Sequence, residues 1–100
     1  MSYKLGKRSL QSLSGVHPDM VAVVRKAIEI TGVDFTVIEG LRTVERQRKL
    51  LNDGKSTTMN SRHITGHAVD MVPWPVDWND LERFEVMSEA MKTAAEELEI

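Results

Sequence analysis

Apolar residues recur at helical spacing in some stretches of this chain and alternate with polar ones in others. Behind His17-Pro18-Asp19, the residues Met20, Val21, Val24, Ala27 and Ile28 follow the i, i+3, i+4 rule and give one apolar stripe. Proline suits the first turn of a helix and Asp19 suits the positive end of its dipole. Thr31-Gly32 stops that helix. Ahead of it, residues 9–14 form a short helix that lays Leu10 and Leu13 on the core, and Gly15 ends it. Residues 34–39 carry the β-prone run Phe35, Thr36, Val37 and Ile38 and read as a strand. Gly40-Leu41-Arg42 leaves the strand. Thr43 is the N-cap of a helix over Val44–Asn52, with Val44, Leu50 and Leu51 as its apolar contacts. Asp53-Gly54 ends it.

A polar loop over residues 55–61 follows, and Gly66 turns the chain into a second strand over residues 67–72. Alternate residues of a strand share a face. Ala68, Asp70 and Val72 then point one way, and His67, Val69 and Met71 the other. Pro73-Trp74-Pro75 ends this strand, with Trp74 and Trp78 read as core and rim packing. Asn79 with Glu82 is an Asn variant of the capping box. The stripe Leu81, Phe84, Met87, Met91, Ala94, Ala95 and Leu98 makes the last helix, which runs to the end of the chain without a stop signal. Two strands alone make a marginal sheet. Both features predict a further C-terminal segment.

The length of 100 residues sets one domain, residues 1–100. Its 41% apolar and 28% charged residues are those of a globular chain. The net charge of −2, with both signs interspersed, argues against nucleic acid as a partner. With no cysteine, a metal would have to be held by His and carboxylates. The basic N-terminus is followed by no apolar run, and nothing approaches 18 consecutive apolar residues. Neither a signal peptide nor a membrane insertion is expected.

Asp70 stands among Ala68, Val69, Met71 and Val72. A carboxylate buried there unpaired is costly, so it calls for a cation, backbone N–H donors or a metal. His63 precedes it by seven residues, with Gly66 between, and could be a second ligand or a surface or capping histidine beside the loop. Zinc accepts both donor types. His67 falls on the opposite strand face from Asp70, and His17 reads as structural. Arg42 is either a surface ion pair or a positive charge aimed at the strand end, where it could bind a carboxylate or stabilise an oxyanion. Ser61 either bonds its own backbone or donates to a substrate.

Ser61-x-His63-x-x-Gly66-x-Ala68-x-Asp70 resembles the zinc-binding signature of the M15 metallopeptidases. That family holds D-Ala-D-Ala carboxypeptidases and dipeptidases and phage L-alanyl-D-glutamate endopeptidases. The opening Met1-Ser2-Tyr3-Lys4-Leu5-Gly6-Lys7, the run from Asp34 through Gly40-Leu41-Arg42-Thr43-Val44, and Asp77-Trp78-Asn79-Asp80-Leu81-Glu82 resemble short phage endolysins of that family. The resemblance implies an α+β fold in which a small antiparallel sheet flanked by helices holds one zinc. It implies His63 and Asp70 as zinc ligands, Arg42 as the catalytic arginine that polarises the scissile carbonyl, and Ser61 as a substrate-binding residue. The implied reaction is zinc-dependent hydrolysis of the L-Ala–D-Glu bond of peptidoglycan stem peptides, with a glutamate as general base.

The third zinc ligand and that glutamate belong, in the family, to a later Glu-x-x-His-like pattern. No histidine follows His67 here, and the late glutamates Glu82, Glu85, Glu89, Glu96, Glu97 and Glu99 take neither role. The expectation is therefore a chain that stops early, holds zinc weakly and is a poor enzyme alone. The alternative is a shortened, inactive form that only binds peptide or cell wall. As an endolysin the protein would be made in the host cytoplasm and reach the periplasm through a holin.

Overall fold

The computed structural model describes residues 3–100; Met1 and Ser2 of the opening run lie outside them. The described elements run α1 (Lys7–Ser12), α2 (Pro18–Ile30), β1 (Phe35–Glu39), α3 (Val44–Asn52), β2 (Asp70–Pro73) and α4 (Leu81–Glu97). β1 and β2 pair antiparallel as a two-stranded sheet. α1 packs on β1, and α2 packs on α4. The fold is α+β with a small antiparallel sheet among helices. No helix among the described residues is long and apolar enough to cross a membrane.

Local signals set the helix ends. Proline opens α2, and the His17 side chain caps it by accepting from the Asp19 N–H at 3.1 Å. The Thr43 hydroxyl accepts from the Arg46 N–H at 3.1 Å and starts α3 at the expected residue. Such a cap stabilises by about 1 kcal/mol. α4 begins one residue later than the pattern suggested. Asp80, not Asn79, is the cap and accepts from the Arg83 N–H at 3.2 Å, while the Asn79 N–H is taken by Asp77.

The core lies between α2, α4 and the sheet. Val24, Ala27, Val37 and Ala94 are fully buried in it, and Phe35 nearly so. Tertiary contacts overrode periodicity at several positions. Leu10 is exposed, and Ser9 is buried in its place. The Ser9 hydroxyl accepts from the Val37 N–H at 3.0 Å, which ties α1 to β1. Val44 is 47% exposed, and the one buried side chain of α3 is Gln47. Leu81 and Leu98 are exposed although both belong to the helical stripe. Trp74 and Trp78 are exposed too, against the packing expected of them; Trp78 stacks on Phe84 at 5.6 Å between ring centroids.

The second strand also differs from its expected span. It starts at Asp70, because the chain from Arg62 to Gly66 turns back on itself: the His67 N–H donates to the Arg62 carbonyl at 2.9 Å. His67, Ala68 and Val69 therefore lie outside the sheet, and the alternation assigned to them does not hold. Pairing runs Phe35 with Pro73, Thr36 with Val72 and Val37 with Met71, then slips, so that Glu39 faces Asp70. The slip is a bulge at Ile38, and a bulge re-aims the side chains beyond it.

Candidate active site

The sheet end at Glu39 and Asp70 is where the sequence-predicted residues meet. Gly40 makes the approach possible. A Cβ on it would collide with the Ser12 carbonyl oxygen and lie 2.6 Å from Val16 Cγ2. Only a residue without a side chain lets β1 leave the sheet this close to α1. The Gly40 carbonyl then accepts a hydrogen bond from His63 Nδ1 at 2.8 Å. A carbonyl has no proton to give, so Nδ1 carries the hydrogen and, in the neutral ring, Nε2 carries the lone pair. Such a bond on one ring nitrogen fixes what the other can do. Nε2 lies 3.4 Å from Asp70 Oδ1.

His63 is buried, with 11% of its side chain exposed, so it is not the surface histidine the loop suggested. Asp70 is the reverse: its side chain is half exposed. The apolar neighbours did not bury it, because its strand begins there and its side chain opens to solvent. The cost that first singled Asp70 out is therefore small. What marks the residue is its company.

Arg42 lies between the two facing carboxylates, with 9% of its side chain exposed. Its Nε–H donates to Glu39 Oε1 at 2.7 Å, and its Nη1–H donates to Gln47 Oε1 at 2.8 Å. Its Nη2 is 3.6 Å from Asp70 Oδ2. Its backbone N–H donates to the His63 carbonyl at 2.8 Å, which ties the exit of β1 to the histidine loop. Like charges facing across a sheet destabilise it, so a cation between them is needed. The hydrogen bond from Arg42 holds the Glu39 carboxyl below its ordinary value near 4.5; the charges of Arg42, Arg46 and His63 add to this and burial opposes it. Glu39 then adds stability above its ordinary value and loses it as pH falls through the lowered one. The urea midpoint of the chain should fall on acidification below about pH 4.5, and Glu39→Gln should flatten that limb.

Ser61 enters through its backbone neighbours. Its hydroxyl oxygen accepts from the His63 N–H at 3.2 Å and shapes the loop that delivers the imidazole. Ser61 also borders a cavity of about 240 Å³ with Asn60, Ile64 and Thr65. His67 is elsewhere. Its ring lies 4.5 Å from that of His17, and its Nδ1 is 2.8 Å from the Thr65 hydroxyl. A cavity of about 560 Å³ lies beside that histidine pair, lined by α2 and α4 and away from Asp70. Among the described residues no group of three or more His, Cys, Asp and Glu side chains is placed to hold a metal ion.

Glu39, Gly40 and Gln47 are parts of the site that motif reading passed over. Gln47 has no exposed surface. Its amide oxygen faces Arg42, while its Nε2 donates to the Ser56 hydroxyl at 2.8 Å and the Thr58 carbonyl at 2.6 Å. Its spacing to Leu51 is helical, but a polar side chain gives periodicity no reason to place it inside. Glu39 carried a weaker signal, as the last residue of a strand three positions before Arg42.

The model of the family described as phage L-alanyl-D-glutamate peptidase matches residues 1–100. The chain belongs to this family. It is 40% identical over 106 residues to the L-alanyl-D-glutamate peptidase of Escherichia phage T5, covering 100% of this chain and 77% of that protein. It is 35% identical over 77 residues to the L-alanyl-D-glutamate peptidase of Listeria phage A118, covering 71% of this chain and 27% of that one. The crystal structure of the Serratia marcescens L-Ala D-Glu endopeptidase ChiX matches with a TM-score of 0.87 and 44% identity, over 94% of this chain and 72% of that one. Family membership makes this chain a peptidase by descent and accounts for the fold.

Proposed function

We propose that the chain is a phage endolysin that hydrolyses the L-Ala–D-Glu bond of peptidoglycan stem peptides, with one zinc ion held by His63 and Asp70. The observation that carries the metal is the His63–Asp70 pair. With Nδ1 bound to the Gly40 carbonyl, a neutral His63 turns a lone pair toward a carboxylate oxygen 3.4 Å away. Two acceptors in that position call for a cation between them. Zinc bonds of about 2.0–2.2 Å to nitrogen and oxygen put two tetrahedral ligands about 3.4 Å apart. The donor types and their separation fit zinc, and the carbonyl behind the imidazole is the usual outer partner of a ligating histidine.

Bound zinc supplies Lewis-acid polarisation of the scissile carbonyl and a water that ionises near neutral pH. Arg42 presents Nη2 on the same side, where it would donate to the carbonyl oxygen as negative charge develops. The Ser61 hydroxyl, its oxygen already accepting from His63, keeps its own proton to donate to the substrate backbone. No glutamate of α4 is assigned as general base. In this reading the protein is made in the host cytoplasm and acts in the periplasm after release through a holin.

The test is digestion of purified Gram-negative peptidoglycan with zinc in excess, followed by mass spectrometry of the fragments. The expected products are glycan strands whose peptide stems are trimmed to L-Ala and free peptides beginning with D-Glu, both abolished by chelation. New ends at any other bond overturn the substrate assignment. A second reading has the chain bind peptide or cell wall without cutting it, and the two-ligand metal set among the described residues favours it. Retention on peptidoglycan with no new ends supports that reading instead.

A further inference from the structure

Arg42 stands between two carboxylates and is committed to one of them. Its bonds to Glu39 at 2.7 Å and to Gln47 at 2.8 Å are short, and a charge-assisted bond of that length is a strong one. Its separation from Asp70 is 3.6 Å, beyond hydrogen-bond length. The bulge at Ile38 is what brings Glu39 opposite Asp70, and so within reach of the same guanidinium. Arginine has a planar fork that matches a carboxylate with two parallel bonds. Without a charge at position 39, Asp70 is the nearest carboxylate for that fork to close on. An Asp70 gripped in this way has both oxygens occupied.

We infer that Glu39 is a positioning residue that holds Arg42 off Asp70 and so keeps the Asp70 carboxylate free for a metal ion. The inference rests on the proposed zinc reading of His63 and Asp70. Glu39 does not touch the metal in this scheme; it acts through Arg42 alone. Gln47 fixes the remaining edge of the guanidinium, which leaves Nη2 as the end that faces the site.

The inference predicts that a residue outside the ligand set controls metal affinity, and only while Arg42 is present. Zinc(II) affinity would be measured by competition with a chromogenic chelator on the 100-residue chain, on E39Q, and on E39Q and wild type each carrying R42M. E39Q is nearly isosteric and should fold. It should weaken zinc binding about 10-fold, the scale of other outer-partner losses. In the R42M background the same change should leave affinity unaltered. A second readout needs neither metal nor R42M: the carboxyl carbon resonance of Asp70 should shift in metal-free E39Q as Arg42 closes on it. Equal zinc affinity in wild type and E39Q overturns the inference while leaving the zinc reading intact. So does an equal loss with and without Arg42, or an unmoved Asp70 resonance. Failure of the wild-type chain to take up zinc overturns the zinc reading, and the inference with it.

Discussion

Arg42→Ala lowers the free energy of unfolding by about 3 kcal/mol, at the lower end of what removing one partner from a buried charge cluster costs. The lower end applies because Asp70 is half exposed and Glu39 about a quarter exposed. The loss has three sources. Glu39 and Asp70 are left facing each other across the sheet with no cation between them. The Gln47 amide oxygen, fully buried, loses its donor. The space of a side chain 9% exposed is emptied. Urea denaturation reads the shift as a lower midpoint with the slope unchanged. Combined with Glu39→Gln, the losses should be less than additive, since one substitution removes what the other leaves unpaired. A change of less than about 1 kcal/mol would mean that the cluster behaves as an exposed ion pair.

Gly40→Ala costs about 2–3 kcal/mol, within the range for overpacking, and it disables the site as well. The added methyl meets the Ser12 carbonyl and Val16, and backbone cannot turn aside as a flexible side chain can. Either α1 or the exit of β1 must move, and the Gly40 carbonyl moves with it. His63 Nδ1 then loses its acceptor, and the free choice of tautomer returns. The expected signature is a lower unfolding midpoint together with loss of the slowly exchanging His63 Nδ1–H resonance. Gly54→Ala is the control. Nothing lies within 4 Å of a Cβ there, and its cost comes only from the positive φ of 73°. It should destabilise by about 1 kcal/mol and leave the His63 resonance in place.

The two sites illustrate which parts of this protein are legible along the chain. α3 was, because Thr43 and Asp53-Gly54 act on their own neighbours within one turn. The meeting of His63 and Asp70, whose side chains come within 3.4 Å, was also legible, since both sit in one spaced motif with Arg42 just after a strand. The register that joins them was not. It depends on a bulge at Ile38, and nothing in an alternating run such as Phe35 to Ile38 announces an extra residue. Glu39 and Asp70 come from different strands, so their facing is a property of the pairing and of neither segment.

Buried polar groups were misjudged for a related reason. Periodicity assigns the inside to leucine and valine. Ser9 and Gln47 took inner positions because each satisfies backbone or charged partners that come from elsewhere in the chain. Asp70 failed in the other direction. Apolar neighbours predicted burial, but the strand begins at that residue and its side chain opens to solvent. In each case the missing information was the partner.

Zinc titration followed on the imidazole resonances of the chain's three histidines reads directly whether His63 and Asp70 hold the metal. The histidines separate into His63 beside Asp70 and the stacked pair His17 and His67, so the spectrum reports where the metal sits. Zinc should shift His63 at Nε2, leave its Nδ1–H bonded, and leave His17 and His67 unmoved. A shift of His17 and His67 with His63 unchanged would contradict it.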